Sequence, residues 1–428
     1  PPDAAPRPLV LGIDFGTSNS AAALIDAHGV MQVVPLDGAR NEMPTALFFD
    51  AEAHTVLYGS EAMQAYLQGT EGRLLRALKS LLGSALMDEY TAVGERSLRY
   101  FDIVVLFFKE LKRRSEAFAG QPLSHAVLGR PVHFVDDHPE RDALAQETLE
   151  RAAREAGFTH IRFQLEPIAA ALDYEQRVNG ETIALVVDIG GGTSDFTVIR
   201  LNPQRSAQAD RAADILATTG VHIGGTDFDR LLDLSSVMPL LGYRHIGTGG
   251  RPVPNSVFFD LSTWHLIHQA YTRKAMHFAR ELWTDFVDLA LHGRLIDALE
   301  GQFGHRMLAE VEAAKIACSV SGADSAVRLD FLGEGLNAHI SVPAMQQALR
   351  DSVAQVVQCA QDCVAASGLP RVDVVYLTGG SSALRPLVEA LQSAMPDATL
   401  VTGNQFGGVA AGLAYAGAAQ PFGPAQAV

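Results

Sequence analysis

Two acidic residues stand at the ends of apolar runs, and each is followed by a turn stripped of bulk. The first is Asp14 in "LVLGIDFGTSNS" (Leu9 to Ser20), where Gly16, Thr17, Ser18 and Asn19 follow. A carboxylate at the end of a buried strand costs free energy unless a cation or hydrogen-bond donors meet it. Gly16 permits a sharp turn and the close approach of a ligand. The hydroxyl, amide and backbone donors after it suit phosphate oxygens, with Asp14 facing a metal ion. The second acid is Asp188 in "IALVVDIGGGTSDFTVIR" (Ile183 to Arg200). Gly190, Gly191 and Gly192 form a bare turn, Thr193 and Ser194 follow, and Asp195 opens a second alternating run. This pattern predicts a β-hairpin whose turn amides surround phosphate oxygens.

Two more glycine pairs have the same character. In "GVHIGGTDFDRLL", Gly224 and Gly225 precede a helix capped by Thr226 or Asp227. In "TGGSS", Gly379, Gly380 and Ser381 follow the apolar strand "VDVVYL" and precede the helix "ALRPLVEALQSA", an arrangement for phosphate or ribose. Any one of these is open to reading as an ordinary turn. Four at strand ends, two of them after Asp-x-Gly, point to a nucleotide. The repeated logic implies an internal duplication into two α/β lobes, each with one phosphate loop. The nucleotide would lie in the cleft between them, with Asp14 and Asp188 facing each other across magnesium-bound phosphates.

The elements around these loops belong to a globular chain. It has 428 residues, enough for two to four domains, and is 48% hydrophobic and 19% charged. A net charge of -16 argues against nucleic-acid binding and against adhesion to an acidic membrane surface. The three cysteines, Cys318, Cys359 and Cys363, fit a reducing compartment without a disulfide framework. Cys359 and Cys363 would share a helix face as small core residues rather than as a metal site. The Pro-rich start "PPDAAPRP" has no signal pattern and reads as a disordered lead-in. No uncharged apolar run reaches membrane-spanning length, and "DIVVLFF" from Asp102 to Phe108 suits a buried element. A soluble, cytoplasmic protein is expected.

In this order, "GIDFGTSNS", "VVDIGGGTSDF", "HIGGTDFD" and "LTGGSS" resemble the actin-like ATPase domain of the heat-shock-70 chaperone family. The likeness runs from about Leu9 to Tyr415, and "FGGVAAGLAYA" is similar to YegD-type members, which lack the peptide-binding domain. The resemblance implies two duplicated RNase-H-like lobes, ATP or ADP with Mg2+ in the cleft, and a partner or client protein that the sequence does not name. It implies that Asp14 and Asp188 position magnesium through water, and that Thr17, Ser18, Gly191, Gly192 and Thr193 contact phosphates. Lys79 in "LKSLLG" would reach the γ-phosphate. Glu166 in "LEPIAAAL", with Asp195 and Thr193, would orient the attacking water. Glu312, Lys315 and Ser319 in "EAAKIACS" would hold ribose and adenine. Their spacing of i, i+3, i+7 places them on one helix face, independently of the resemblance.

The chain departs from that family at the base. Two arginines usually sandwich the adenine; Ile316 and Ala383 stand in their places here, and Thr226 replaces the usual acid of its turn. The segment from about Leu231 to Glu300 is unlike the family, with a loop and then the strongly helical "LSTWHLIHQAYTRKAMHFARELW". Trp264, His265 and His268 within it read as ordinary packing, and Arg273, Lys274 and Arg280 as a solvated face. The chain ends soon after Tyr415 in a Pro/Gly/Ala-rich stretch, which reads as a stand-alone pair of lobes rather than a truncation. The expected boundaries are 1–180 for lobe I with an upper insertion at about 39–99, 181–400 for lobe II with an insertion at about 226–338, and 401–428 for a final helix and tail. The function expected is a slowly hydrolysing ATP switch. The alternatives are a sugar or small-acid kinase on the same fold and a non-hydrolysing nucleotide-binding module.

Overall fold

The computed structural model describes residues 8–26, 28–93, 96–135, 138–175, 178–205, 211–403 and 408–419. The Pro-rich start, Phe406 and Gly407 of the late glycine stretch, and the tail after residue 419 lie outside them.

The apolar runs that end in acids become the central strands of two sheets. In the first, β1 (Val10–Phe15) pairs antiparallel with β2 (Asn19–Ile25), which pairs antiparallel with β3 (Met31–Val33). On its other side β1 pairs parallel with β4 (His125–Arg130), and β4 with β5 (His160–Leu165). The second sheet repeats this plan. Its strand β6 (Thr182–Ile189) pairs antiparallel with β7 (Ser194–Leu201), and β7 with β8 (Ile215–Val221). Parallel pairing then joins β6 to β9 (Val374–Thr378) and β9 to β10 (Thr399–Thr402). The same order with the same strand directions realises the duplication expected from the two hairpins. Asp14 and Asp188 occupy the same penultimate position in β1 and β6.

Two alanine-rich helices lie between the sheets. They are α4 (Glu166–Glu175) and α9 (Gly408–Ala419), and their Ala169, Ala170, Ala171, Val409 and Leu413 join Val127, Val186 and Tyr376 of both sheets in one buried cluster. Small side chains let these elements approach closely. A Cβ at Gly12 of β1 would lie 2.4 Å from the Ala414 nitrogen, and one at Gly412 only 1.9 Å from the Ala169 carbonyl oxygen. On the outside of the first sheet, α2 (Tyr100–Ala119) and α3 (Pro139–Glu155) bury Phe107, Phe108 and Leu149 against Phe15 and Ile13. The run "DIVVLFF" is therefore a core helix. The helices α7 (Val342–Ala366) and α8 (Arg385–Ala394) pack with the second sheet. Cys363 of α7 is buried and Cys359 partly so, as small core residues.

Each lobe carries an insertion. In lobe I the strands Ala46–Asp50, Val56–Tyr58 and Gly72–Arg76 form a small sheet beside helix α1 (Gly59–Leu67). In lobe II an insertion separates α5 (Gly225–Ser236) from α6 (Gly304–Ser321). The long helix expected there is in fact broken. Ser256–Ser262, Ile267–Ala270 and Arg273–Glu281 are separate helices, and the Thr272 hydroxyl restarts the last by accepting from the Ala275 amide at 3.3 Å. Side-chain capping competes with helix continuation at such residues. Arg273, Lys274 and Arg280 are exposed as expected, with Arg280 paired to Glu300.

The end of α4 is anchored to lobe II by a buried ion pair. Arg211 donates to Glu175 at 2.7 and 2.9 Å and also pairs with Asp214, while the Asn202 amide donates to Glu175 at 2.7 Å. Removing one partner strands the other charge away from water. Arg211→Met is therefore expected to lower unfolding stability by about 3–5 kcal/mol in urea denaturation. Arg154→Ala, at a half-exposed helical pair, should cost under about 1 kcal/mol.

Candidate functional site

All four glycine turns meet at one end of the two sheets. The hairpin turn closes through the Gly190 amide, which donates to the Thr193 carbonyl at 2.9 Å. The Gly224–Gly225 turn docks onto it: the Gly225 amide donates to the Gly190 carbonyl at 2.9 Å, and the Thr226 amide and hydroxyl both donate to the Gly191 carbonyl at 2.8 Å. Thr226 is thus committed to the neighbouring loop, and it is Asp227 that caps α5 by accepting from the Gly224 amide at 2.9 Å. The Ser381 amide donates to the Ile189 carbonyl at 3.3 Å. The loops are close enough that side chains would collide. A Cβ at Gly191 would sit 2.0 Å from the Ser18 hydroxyl, and one at Gly225 2.5 Å from that of Ser381. Gly379 has a φ of +86° and brings its backbone against Asp188. Gly192 faces open space, and Gly380 approaches only the Asn19 amide group.

Thr45, which no motif singled out, secures the first loop. Its amide donates to the Ser18 carbonyl at 2.8 Å and its hydroxyl to that of Gly16 at 2.8 Å. With that proton spent, the Ser20 hydroxyl must donate to Thr45 across their 2.8 Å contact.

Carboxylates crowd the floor of this convergence. Burial and Glu166 push Asp14 up to about 7, with Lys79 opposing. Burial, Glu166, Asp195 and Asp14 push Asp188 up to about 8. Glu42, also missed in the sequence, rises to about 7 through burial and Asp14. Lys79 is the cation facing them, and its ammonium donates to Glu166 at 2.8 Å. Burial disfavours its charge, but Glu166, Asp14 and Asp188 outweigh that cost and hold it protonated. Ala77, in the left-handed region at φ 55°, precedes the 3-10 turn Leu78–Leu81 that carries Lys79 inward. Glu166 opens α4 against Gly129, where a Cβ would lie 3.0 Å from its side chain. Asp195 accepts from the Thr193 hydroxyl at 3.1 Å. A cavity of about 770 Å³ backs these groups and is lined by Glu166, Asp188, Asp195, Thr378, Pro131 and His133.

One lysine against Asp14, Glu166, Asp188 and Asp195 leaves a negative site whose two central acids hold protons near neutral pH. Such a donor set fits a hard cation. Among the described residues, no three His, Cys, Asp or Glu side chains gather as direct metal ligands.

The predicted nucleoside residues lie on α6 but do not share an open face. Glu312 is exposed, whereas Lys315 is buried in an ion pair with Asp229 at 2.7 Å. Ser319 is buried beside Met345, and its carbonyl accepts from Arg385 at 3.3 Å. Ile316 is 51% exposed on the same helix.

Above the site the two insertions touch. His305 Nε2 faces the Trp264 carbonyl at 3.0 Å, an acceptor only, so Nε2 carries the proton and Nδ1 accepts from the Tyr66 hydroxyl at 2.8 Å. Burial pushes His305 down to about 4 against the Trp264 hydrogen bond, helped by Arg76 and His268, so the ring is neutral. Trp264 thus packs as expected but also spans the lobes.

The family model described as Hsp70 protein matches residues 10–235, more than half of the chain. The chain belongs to the Hsp70 protein family. Its fold is accordingly the actin-like ATPase fold, two duplicated lobes around a cleft, as the paired sheets show. The chaperone protein DnaK of Thermotoga neapolitana is 31% identical over 230 residues, covering 53% of this chain and 35% of that protein. DnaK of Thermosipho africanus is 32% identical over 231 residues, with 53% and 35% coverage, and that of Thermoplasma volcanium 31% over 229 residues, with 52% and 34%. The match thus spans about a third of the length of these relatives. Among the described residues, no helix is long and apolar enough to cross a membrane.

Asp233 of α5 lies one turn beyond Asp229 and is fully buried. Burial pushes it up to about 7, the Ser262 hydroxyl donating at 2.6 Å opposes, and Asp229 adds to the rise. The folded protein therefore holds this proton more tightly than the unfolded chain. The stabilisation is full below about pH 4 and is lost as pH rises through about 7. Asp233→Asn should unfold at higher urea than wild type at pH 8 and lose that advantage at pH 5. Parallel pH dependences of the two proteins would contradict this.

Proposed function

We propose that this Hsp70-family chain is an ATP-binding, slowly hydrolysing, chaperone-type ATPase in which nucleotide controls closure of the lobes. The observation that carries this reading is the convergence of four glycine turns on Asp14, Lys79, Glu166 and Asp188 at the junction of the two sheets. Amides and hydroxyls of Gly16, Thr17, Ser18, Asn19, Gly190, Gly191, Gly192 and Thr193 would hold the phosphate chain. Lys79 would neutralise charge on the γ-phosphate, and Glu166, Asp195 and Thr193 would hold water in line with it. Asp14 and Asp188 would hold Mg2+ through its waters. When bound, the ion supplies charge neutralisation of the phosphates. Gly224, Gly225, Gly379, Gly380, Ser381, Glu312 and Ser319 would line the nucleoside end, with Lys315 acting through its pair with Asp229. Phosphoryl transfer to water asks the protein for position and charge rather than covalent chemistry, which is what these residues offer.

The finer expectations belong to this proposal as well. They are a cytoplasmic, YegD-like ATPase without nucleic-acid or membrane ligands, a protein partner or client that reads lobe closure, and lobes bounded at about residues 180 and 400. Membership of the Hsp70 family does not favour the kinase alternative.

The test is magnesium-dependent ATP binding with single-turnover hydrolysis. Asp188→Asn and Lys79→Ala should each slow hydrolysis by about 100-fold or more while ADP affinity stays within about tenfold. Wild type that fails to bind ATP at millimolar concentration would reject the reading.

A further inference from the structure

A guanidinium of lobe I meets the insertion of lobe II at a position no motif marked. Arg76 ends the insertion strand Gly72–Arg76, opposite Ala46, three residues before Lys79. Its guanidinium carbon lies 4.3 Å from the ring centroid of Trp264, which belongs to the insertion of the opposite lobe. Burial lowers its pKa, and the carboxylates of Glu312 and Asp229 oppose that only in part. Neither closes on it: Asp229 is taken by Lys315, and among the described residues the Arg76 guanidinium forms no hydrogen bond or ion pair. A guanidinium has five donors in a fixed plane. A guanidinium over an indole is attracted to the ring face without spending its N–H donors. Arg76 is thus an oriented set of donors without an acceptor. It lies three residues before Lys79 in the chain and within electrostatic reach of Glu312, the residues proposed for the phosphate and nucleoside ends.

We propose that Arg76 binds the α- and β-phosphates of the nucleotide, with Trp264 as the platform that orients it. The inference rests on the nucleotide reading above. Guanidinium and phosphate meet in short, charge-assisted, often bidentate hydrogen bonds. With Ile316 and Ala383 at the base, affinity moves away from stacking on adenine and toward the phosphates. Because the platform comes from lobe II and the arginine from lobe I, the bound diphosphate also ties the two lobes together. Arg76 as a mere clasp between the insertions would give a different pattern, since removing it would loosen the whole cleft without regard to the ligand's charge.

Calorimetric titration of magnesium-ADP and of adenosine into wild type, Arg76→Met, Arg76→Lys and Trp264→Leu separates these cases, with thermal unfolding as a check on folding. Arg76→Met should weaken ADP binding by about 10- to 30-fold and leave adenosine within about twofold. Arg76→Lys should recover part of the ADP affinity, because it keeps the charge but not the fork. Trp264→Leu should cost ADP about threefold. Wild-type ADP affinity in Arg76→Met overturns the proposal, as does an equal loss of ADP and adenosine. Wild type that binds neither ligand rejects the nucleotide reading itself, and this proposal with it.

Discussion

The structure depends on one electrostatic problem, the burial of carboxylates at the inner ends of two central strands. Asp14 and Asp188 occupy equivalent places in β1 and β6, where Glu166 and Asp195 add to the repulsion. Burial and mutual repulsion carry both acids to the edge of neutrality. Lys79 relieves part of this, and its own charge survives burial only because those acids surround it. Such a cluster is a poor way to stabilise a fold. It is intelligible as a site that meets additional positive charge when occupied.

The surrounding architecture serves that cluster. Glycines at 12 and 412 let α9 press against β1 and α4, so that the sheets share one thin alanine-rich layer. That layer fixes the distance between the strand ends, and with it the spacing of Asp14 and Asp188. Glu166 opens α4, one of the two helices in the layer, and faces both lobes at once. Any rotation of one lobe against the other therefore alters the same few carboxylate distances.

The upper part of the cleft follows different rules. Tyr66, Arg76, Trp264 and His305 join the lobes through hydrogen bonds, edge-to-face ring contacts and a cation over an indole. The insertion of lobe II is divided among short helices. The lobe II insertion lies beyond the segment matched by the family model, which ends at residue 235. It supplies Trp264, and α6, which follows it, supplies His305; both meet lobe I.

The sequence alone determined the duplication, the four glycine turns and the two acids. These are local patterns: an apolar run, an acid, and a turn without side chains each reveal themselves over a few residues. The hairpin of Asp188 and the strand–turn–helix at Gly379 therefore needed no contacts from elsewhere to be legible. Only the tertiary structure decided what Lys315 and Arg76 do. Helical spacing put Lys315 beside Glu312 and Ser319, but Asp229, from another helix, drew it into the core. Nothing local marks Arg76, because its partner Trp264 lies 188 residues later in the chain. Thr45 and Glu42 were invisible for the same reason. Their partners are fixed by long-range packing, and no spacing along the chain records which surfaces will meet.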